Sequence, residues 1–462
     1  MKKIIPFVYG LCLTASLAVA AERLTTQVPA GLYMERCRRV LAAMDSSSVL
    51  VLRSADSRPR SMDVNYPYRQ ESNFYYLTGI DQTGGFLLLA PAGVEVGGKK
   101  RQVVLFGDMR AGSVYAKKEG LHQTALGCDT LLSSRQFEAL FQTAVKGKAT
   151  LYYSMPQPTF VNDPVANKRF FLDRDVRKEL ANRYSGLQIK PVNDLIAPLR
   201  RIKSPEELAL IQRAVDITAA GLIEAYKSLQ PGMYEYELQA LLEYAYTRNG
   251  ANGPGFPCII GSGPNSLVLH YEDNSRRMQS GDVVVLDVGG EFGGYTADIT
   301  RTMPVSGRFT EAQKELYELV LQAQKETLAI MKPGVPFRAV EEKVQEVTAQ
   351  GLMKLGLIKD KEQVRRFLPH GVSHHIGLDV HDVGRTDTLQ VNMVVTLEPG
   401  VYVPAHDAAI PEAYRNVGIR IEDDVWIVAG GHKVLSAAVP KEIKAVEKLM
   451  KKTGLGNRSV GQ

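Results

Sequence analysis

Apolar and polar positions along this chain follow two different rhythms. From about Tyr33 to Pro198, short apolar runs (Val49 to Leu52, Gly85 to Ala90, Val103 to Phe106 and Leu151 to Tyr153) alternate with stretches at helical spacing. Runs of that length predict buried strands, and their mixing with helices predicts a small α/β domain. The aromatic-dense segment Tyr66 to Gly79 is expected to pack in that domain's core. Near residue 200 the texture changes. Ser204 can cap a helix, Pro205 suits its first position and Glu207 closes a capping box, so a helix and a new domain are expected to start there.

That helix carries Leu208, Ile211, Val215, Leu222 and Ile223 at helical spacing and stops at Pro231-Gly232; a second runs from Tyr236 to Arg248 and ends at Asn249-Gly250. About a hundred residues later the plan returns. A helix from Glu311 to Met331 stops at Pro333-Gly334, and another follows from Arg338 to Leu355. Helix, Pro-Gly, helix and a Gly-rich strand region, given twice, predict a duplicated α+β domain with a cleft between its halves.

The first residues obey neither rhythm. Lys2 and Lys3 precede an uncharged run of 18 residues, Ile4 to Ala21, interrupted by Pro6 and Gly10, and Ala18-Val19-Ala20 offers a cleavage site. This reads as a secretory signal peptide rather than a stable membrane anchor, and implies export to a periplasm or secretion. Cys12 lacks the small preceding residue that a lipoprotein site would want. The expected layout is a leader at 1–20, an N-terminal domain at 21–198, a second domain at 199–450 and a flexible tail at 451–462.

Composition narrows the classes. The 462 residues are 45% hydrophobic and 23% charged, which is ordinary for a globular protein with sizeable cores. Losing Lys2 and Lys3 lowers the formal charge from +6 to +4, and no window is densely basic, so no nucleic-acid partner is expected. Cys37, Cys128 and Cys258 are scattered and odd in number, hence neither a thiolate metal site nor a disulfide framework.

Candidate chemistry sits on the strands of the second half. Asp287 interrupts the apolar run Val283 to Val288, and Asp298 lies in Tyr295 to Arg301 on the other arm of the same hairpin. Acids with apolar neighbours must be neutralised, paired or metal-bound, and a divalent cation would relieve the repulsion between two of them. Glu398 follows Val394 to Leu397, and Glu422 lies in Val417 to Val425. Between the pairs, His370, His374, His375 and His381 are four of the chain's eight histidines. Carboxylates with imidazole suit divalent manganese, cobalt, iron or zinc, and two such ions sharing a water make a hydrolase.

The order Asp287, Asp298, His374, Glu398, Glu422, with these flanks, resembles the pita-bread metallopeptidases, the group of methionine aminopeptidase, prolidase and aminopeptidase P. Arg69 to Gly79 is similar to the N-terminal domain of aminopeptidase P, and Arg201 to Glu207 to the entrance of its catalytic domain. The resemblance implies a creatinase-like N-terminal α/β domain followed by a pita-bread catalytic domain. It implies hydrolysis of the N-terminal bond in peptides with proline at the second position, through a hydroxide bridging two metals, most often Mn2+, with Co2+, Zn2+ and Fe2+ as alternatives. The five residues named are the implied ligands, with Asp298 and Glu422 bridging. His270, His370 and His381 match catalytic histidines that line the substrate site and steady the tetrahedral intermediate, Glu398 is an implied proton shuttle, and Tyr402 and Arg420 match positions near the proline pocket and behind the ligands. His375 is a variable position and is left out of the metal set. A homo-oligomer, dimer or tetramer, is also implied. The alternatives are a Xaa-Pro dipeptidase and a metal-free peptide-binding module.

Overall fold

The computed structural model describes residues 28–110, 112–118, 127–155, 160–165, 167–384 and 388–457, so the leader read at 1–20 lies outside the described residues. Contacts divide the chain between residues 200 and 201 into two compact units.

The N-terminal unit opens with α1 (Ala30–Ala42), whose Cys37 and Val40 are buried. A six-stranded sheet follows, made of β1 (Ser48–Arg53), β2 (Phe86–Val96), β3 (Lys99–Gly107), β4 (Thr130–Ser133), β5 (Thr150–Tyr152) and β6 (Gln188–Lys190), in the spatial order β6-β5-β1-β2-β3-β4. It is mixed: β1 runs antiparallel to β2 and parallel to β5. Val49, Val51, Leu88, Val104, Phe106 and Leu151 form one buried cluster on it. Part of the aromatic stretch becomes α2 (Ser72–Thr78), which Glu71 caps by accepting from Phe74 N and which Gly79 ends at φ 64°. Phe74 and Tyr76 are core residues, as expected, but Tyr66 is 54% exposed because it precedes the helix on an extended segment.

The second unit shows the doubled plan. α3 (Pro205–Ser228) begins with the Ser204–Glu207 capping box, and α4 (Glu235–Arg248) packs beside it. An antiparallel sheet of β7 (Ile259–Ser262), β8 (Val283–Val288) and β9 (Ile299–Pro304) follows, with β8 in the middle. The helix pair α5 (Glu311–Ile330) and α6 (Phe337–Lys354) then repeats the first pair. It leads to β10 (Val394–Leu397), β11 (Gly400–Val403), β12 (Val417–Arg420), β13 (Asp423–Val428) and β14 (Gly431–Val434). These give a three-stranded sheet β10-β13-β14 and a hairpin β11-β12. Leu328, Val340, Val344, Val395, Leu397, Val425 and Ile427 fill the space between the second helix pair and its sheet.

The tail read as flexible is partly seated. Ser228 ends α3 with its carbonyl unused inside the helix, and Asn457 Nδ2 donates to that oxygen at 2.8 Å while Gly456 N donates to Ser228 Oγ at 3.0 Å. Ser228 therefore holds Gly456 and Asn457 in place, and 458–462 lie outside the described residues. Among the described residues no helix is long and apolar enough to cross a membrane.

Candidate metal centre

Four backbone elements bring the predicted acids together. Asp287 occupies the one polar position of β8, and its Cα partner across the ladder is Thr300 of β9. Asp298 immediately precedes β9 and donates its backbone N–H to Asp424 Oδ2 at 3.0 Å. Glu398 follows the last residue of β10, its N–H bonded to Val372 O at 2.9 Å. Glu422 sits where β12 passes into β13, and its N–H reaches Thr300 O at 3.0 Å.

His374 belongs to an irregular segment that lies along β10. His374 N donates to Thr396 Oγ1 at 3.1 Å, and Thr396 N donates back to His374 O at 2.9 Å. Its Nδ1 meets His375 O at 3.0 Å, which places the proton on Nδ1 and leaves Nε2 as the electron-pair donor. That Nε2 faces Asp298 Oδ2 and Glu398 Oε1, each at 3.5 Å. Donor atoms of Asp298, His374 and Glu422 all lie within 4.8 Å of one another.

The electrostatics demand a cation. Burial first, and then neighbouring carboxylates, push Asp298 and Glu398 well above the usual carboxylate range and Glu422 up to about 8. Burial brings His374 down to about 4, so its ring is neutral and able to ligate. Asp287 Oδ1, Asp298 Oδ1 and Asp424 Oδ1 are buried with no hydrogen-bond partner. Orphaned carboxylate oxygens are costly inside a protein, whereas oxygen-rich donors beside one imidazole fit divalent ions. The residues present therefore fit the metals.

A cavity of about 300 Å3 opens above this cluster, lined by Leu269, His270, Asp287, His370, Gly371, Ser373, His374, His381, Glu398 and Arg420. His270 and His381 are exposed on it, and the His381 ring stands edge-on to His374 at 4.3 Å. His370 is tied on both nitrogens: Nδ1 to Gly371 O at 2.7 Å and Nε2 to the Tyr402 hydroxyl at 3.0 Å. Burial lowers its pKa to about 4. Arg420 donates to Tyr402 Oη at 2.7 Å, to Asp287 Oδ2 at 2.6 Å and to Thr300 Oγ1 at 3.2 Å. The Thr300 hydroxyl in turn donates to Glu422 Oε2 at 2.6 Å. His375 is buried, with its ring 5.2 Å from Phe337.

Residues 209–429 match metallopeptidase family M24, and residues 33–152 match the aminopeptidase P N-terminal domain. A Xaa-Pro aminopeptidase of Escherichia coli is 35% identical over 435 residues, covering 90% of this chain and 97% of that protein. The chain belongs to metallopeptidase family M24. Within that family, human Xaa-Pro aminopeptidase 3 is 32% identical over 84% of this chain and 78% of its own length. Zinc-substituted aminopeptidase P of Escherichia coli, solved in complex with product, superposes with a TM-score of 0.79 at 32% identity, covering 92% and 99% of the two chains. Aminopeptidase PepP of Pseudomonas aeruginosa gives 0.80 at 30% identity, over 92% and 99%. The fold is thus the family's, an aminopeptidase P N-terminal domain and a pita-bread catalytic domain, and divalent metal ions belong with it.

Sequence reasoning missed the supports. Glu422, Asp423 and Asp424 are consecutive buried acids, of which only Glu422 was singled out. Alternation along the strand sends Asp424 to Asp298 N and Asp423 the other way, to Arg301 at 2.7 Å and Ser436 at 2.6 Å. The run of three acids with apolar residues on both sides was the available signal.

Proposed function

We propose that this chain is a Xaa-Pro aminopeptidase in which Asp287, Asp298, His374, Glu398 and Glu422 would hold two divalent cations. The observation that carries the reading is the set of orphaned carboxylate oxygens on Asp287 and Asp298 beneath a histidine-lined cavity. When bound, the cations supply the positive charge that acidifies a water and polarises the scissile carbonyl. Manganese is the ion proposed, because carboxylates outnumber the single imidazole among the donors.

The chain's own residues do the rest. Glu398, whose carboxylate borders the cavity, is the residue placed to take up the proton released by the attacking water. His270 and His381, open to the cavity, are placed to donate to the developing oxyanion and to the departing proline nitrogen. His370, part of the cavity wall, is already engaged by Tyr402 and Gly371, so in this arrangement it orients the buried Tyr402 hydroxyl. A proline nitrogen carries no N–H, and the fixed ring is selected by shape against that wall. In the same proposal the leader at 1–20 exports the protein, 21–198 form the N-terminal domain, 199–450 the catalytic domain, and the chain assembles as a homo-oligomer.

The test is cleavage of Arg-Pro-Pro and Gly-Pro by protein stripped of metal and resupplied with manganese, beside an Asp298→Ala control. Free arginine released from the tripeptide, restored by manganese and absent in the control, is the expected result. Cleavage of Gly-Pro alone would make it a Xaa-Pro dipeptidase, and no metal-dependent cleavage would leave a peptide-binding module.

A further inference from the structure

We propose that the buried ion pair between Lys203 and Asp382 is a positioning device that sets His374 and His381 together at the metal centre. The inference rests on the reading of His374 as a ligand. Lys203 Nζ donates to Asp382 Oδ2 at 2.8 Å, and both side chains are 1% exposed. Such a pair is weak evidence for stability, because apolar residues of similar volume often stabilise a core equally well or better. Its geometry gives it another use.

Lys203 is anchored from the outside. It directly precedes Ser204, the cap of α3, and its backbone N–H bonds Asn392 O at 2.8 Å. Asp382 faces the centre from the other end. Its backbone N–H donates to His375 O at 2.8 Å, and that same carbonyl meets His374 Nδ1 at 3.0 Å. That oxygen helps hold the tautomer and ring plane of His374 and is itself held by the Asp382 backbone. His381 is the residue bonded to Asp382, so the pair governs where its ring meets His374.

Gly377 completes the clamp. A Cβ there would lie 2.2 Å from Asp382 Oδ2 and 2.8 Å from Lys203 Nζ, so the pair is pressed against bare backbone. Gly377 O accepts from Thr296 N at 2.9 Å, two residues before Asp298. The ion pair therefore presses on Gly377, whose own carbonyl ties the histidine segment to the stretch that carries Asp298.

The experiment compares the unaltered protein, Asp382→Asn and the double variant Lys203→Met/Asp382→Leu. Each is measured for Tm without metal, for the Tm rise on titrating manganese, and for kcat and KM on Arg-Pro-Pro. The apolar double variant is expected to keep its metal-free Tm, to bind manganese about 10- to 100-fold more weakly and to lose kcat with KM little changed. A stable double variant with the parent's manganese response and kcat overturns the clamp. If that variant does not fold, Asp382→Asn decides: it keeps the side chain's shape but weakens the ionic hold, and an unchanged manganese response there overturns the clamp as well. No manganese-induced shift in the unaltered protein removes the functional reading and the clamp with it. A shift that every variant shares removes the clamp alone.

Discussion

Arg420 shows how much of this site depends on the shape of one side chain. Its three nitrogens reach Tyr402, Asp287 and Thr300, and Thr300 passes the order on to Glu422. A planar guanidinium makes these three bonds at once, whereas an ammonium on a flexible stem cannot span them. Arg420→Lys keeps the charge that faces Asp287 but leaves two of the three acceptors unserved, so the loss falls on alignment. Metal affinity and kcat are expected to drop about 10- to 100-fold, the usual scale for a support behind metal ligands. Metal content after dialysis together with kcat on Arg-Pro-Pro measures this; a lysine variant with full occupancy and full kcat would show that the three bonds are not what aligns the carboxylates.

At the scale of elements, the hairpin β8–β9 has no room for added volume at its turn. Gly289 follows β8, and a Cβ on it would stand 1.8 Å from Ala297 O, directly before Asp298. Alanine there cannot fit without moving the carbonyl, and moving it shifts Asp298. Gly289→Ala should lower Tm and weaken the manganese response together, while Gly430→Ala, with open space around its Cβ, should change stability by no more than about 0.5 kcal/mol. Thermal melts with and without manganese separate the two, and equal behaviour of both variants would sink the argument. This hairpin was also the element most legible in the sequence, because an apolar strand with a single acid marks itself. Three helices of the second unit were legible to within a residue, with α5 ending at Ile330 where Met331 was expected and α6 starting at Phe337 where Arg338 was expected, while α3 ends at Ser228, ahead of the Pro231-Gly232 stop. Local pattern carried both. What it did not carry were partners separated along the chain: Lys203 and Asp382 stand 179 residues apart, and Arg301 reaches Asp423 from 122 residues away. Asp424 was hidden differently, since its neighbours Glu422 and Asp423 look equivalent until the alternation of the strand sends them to opposite faces.

At the scale of the whole molecule the thiols report on both folding and export. Cys37, Cys128 and Cys258 are all buried, and none of the three is in a disulfide. Burial pushes the Cys37 thiol up, and raises Cys258 to about 12. Thiolate is the reactive form, so a folded protein offers neither access nor nucleophile to an aromatic disulfide reagent. The native protein is therefore expected to react slowly or not at all, and the unfolded protein to react fully. The number of groups that then titrate is set by the leader, because the fourth cysteine, Cys12, lies within the segment read as cleaved. Protein recovered from its native host should release three equivalents of reagent product per chain in denaturant, the count of its buried thiols. A count of four would mean that the leader is retained, which would move the protein from export with cleavage to an uncleaved N-terminus. A count of one would mean that two of the three had formed a disulfide after export, against the unbridged arrangement of the structure. Rapid labelling before denaturation would place any reactive thiol outside the two folded units, since a buried sulfur inside either becomes reachable only when that unit opens.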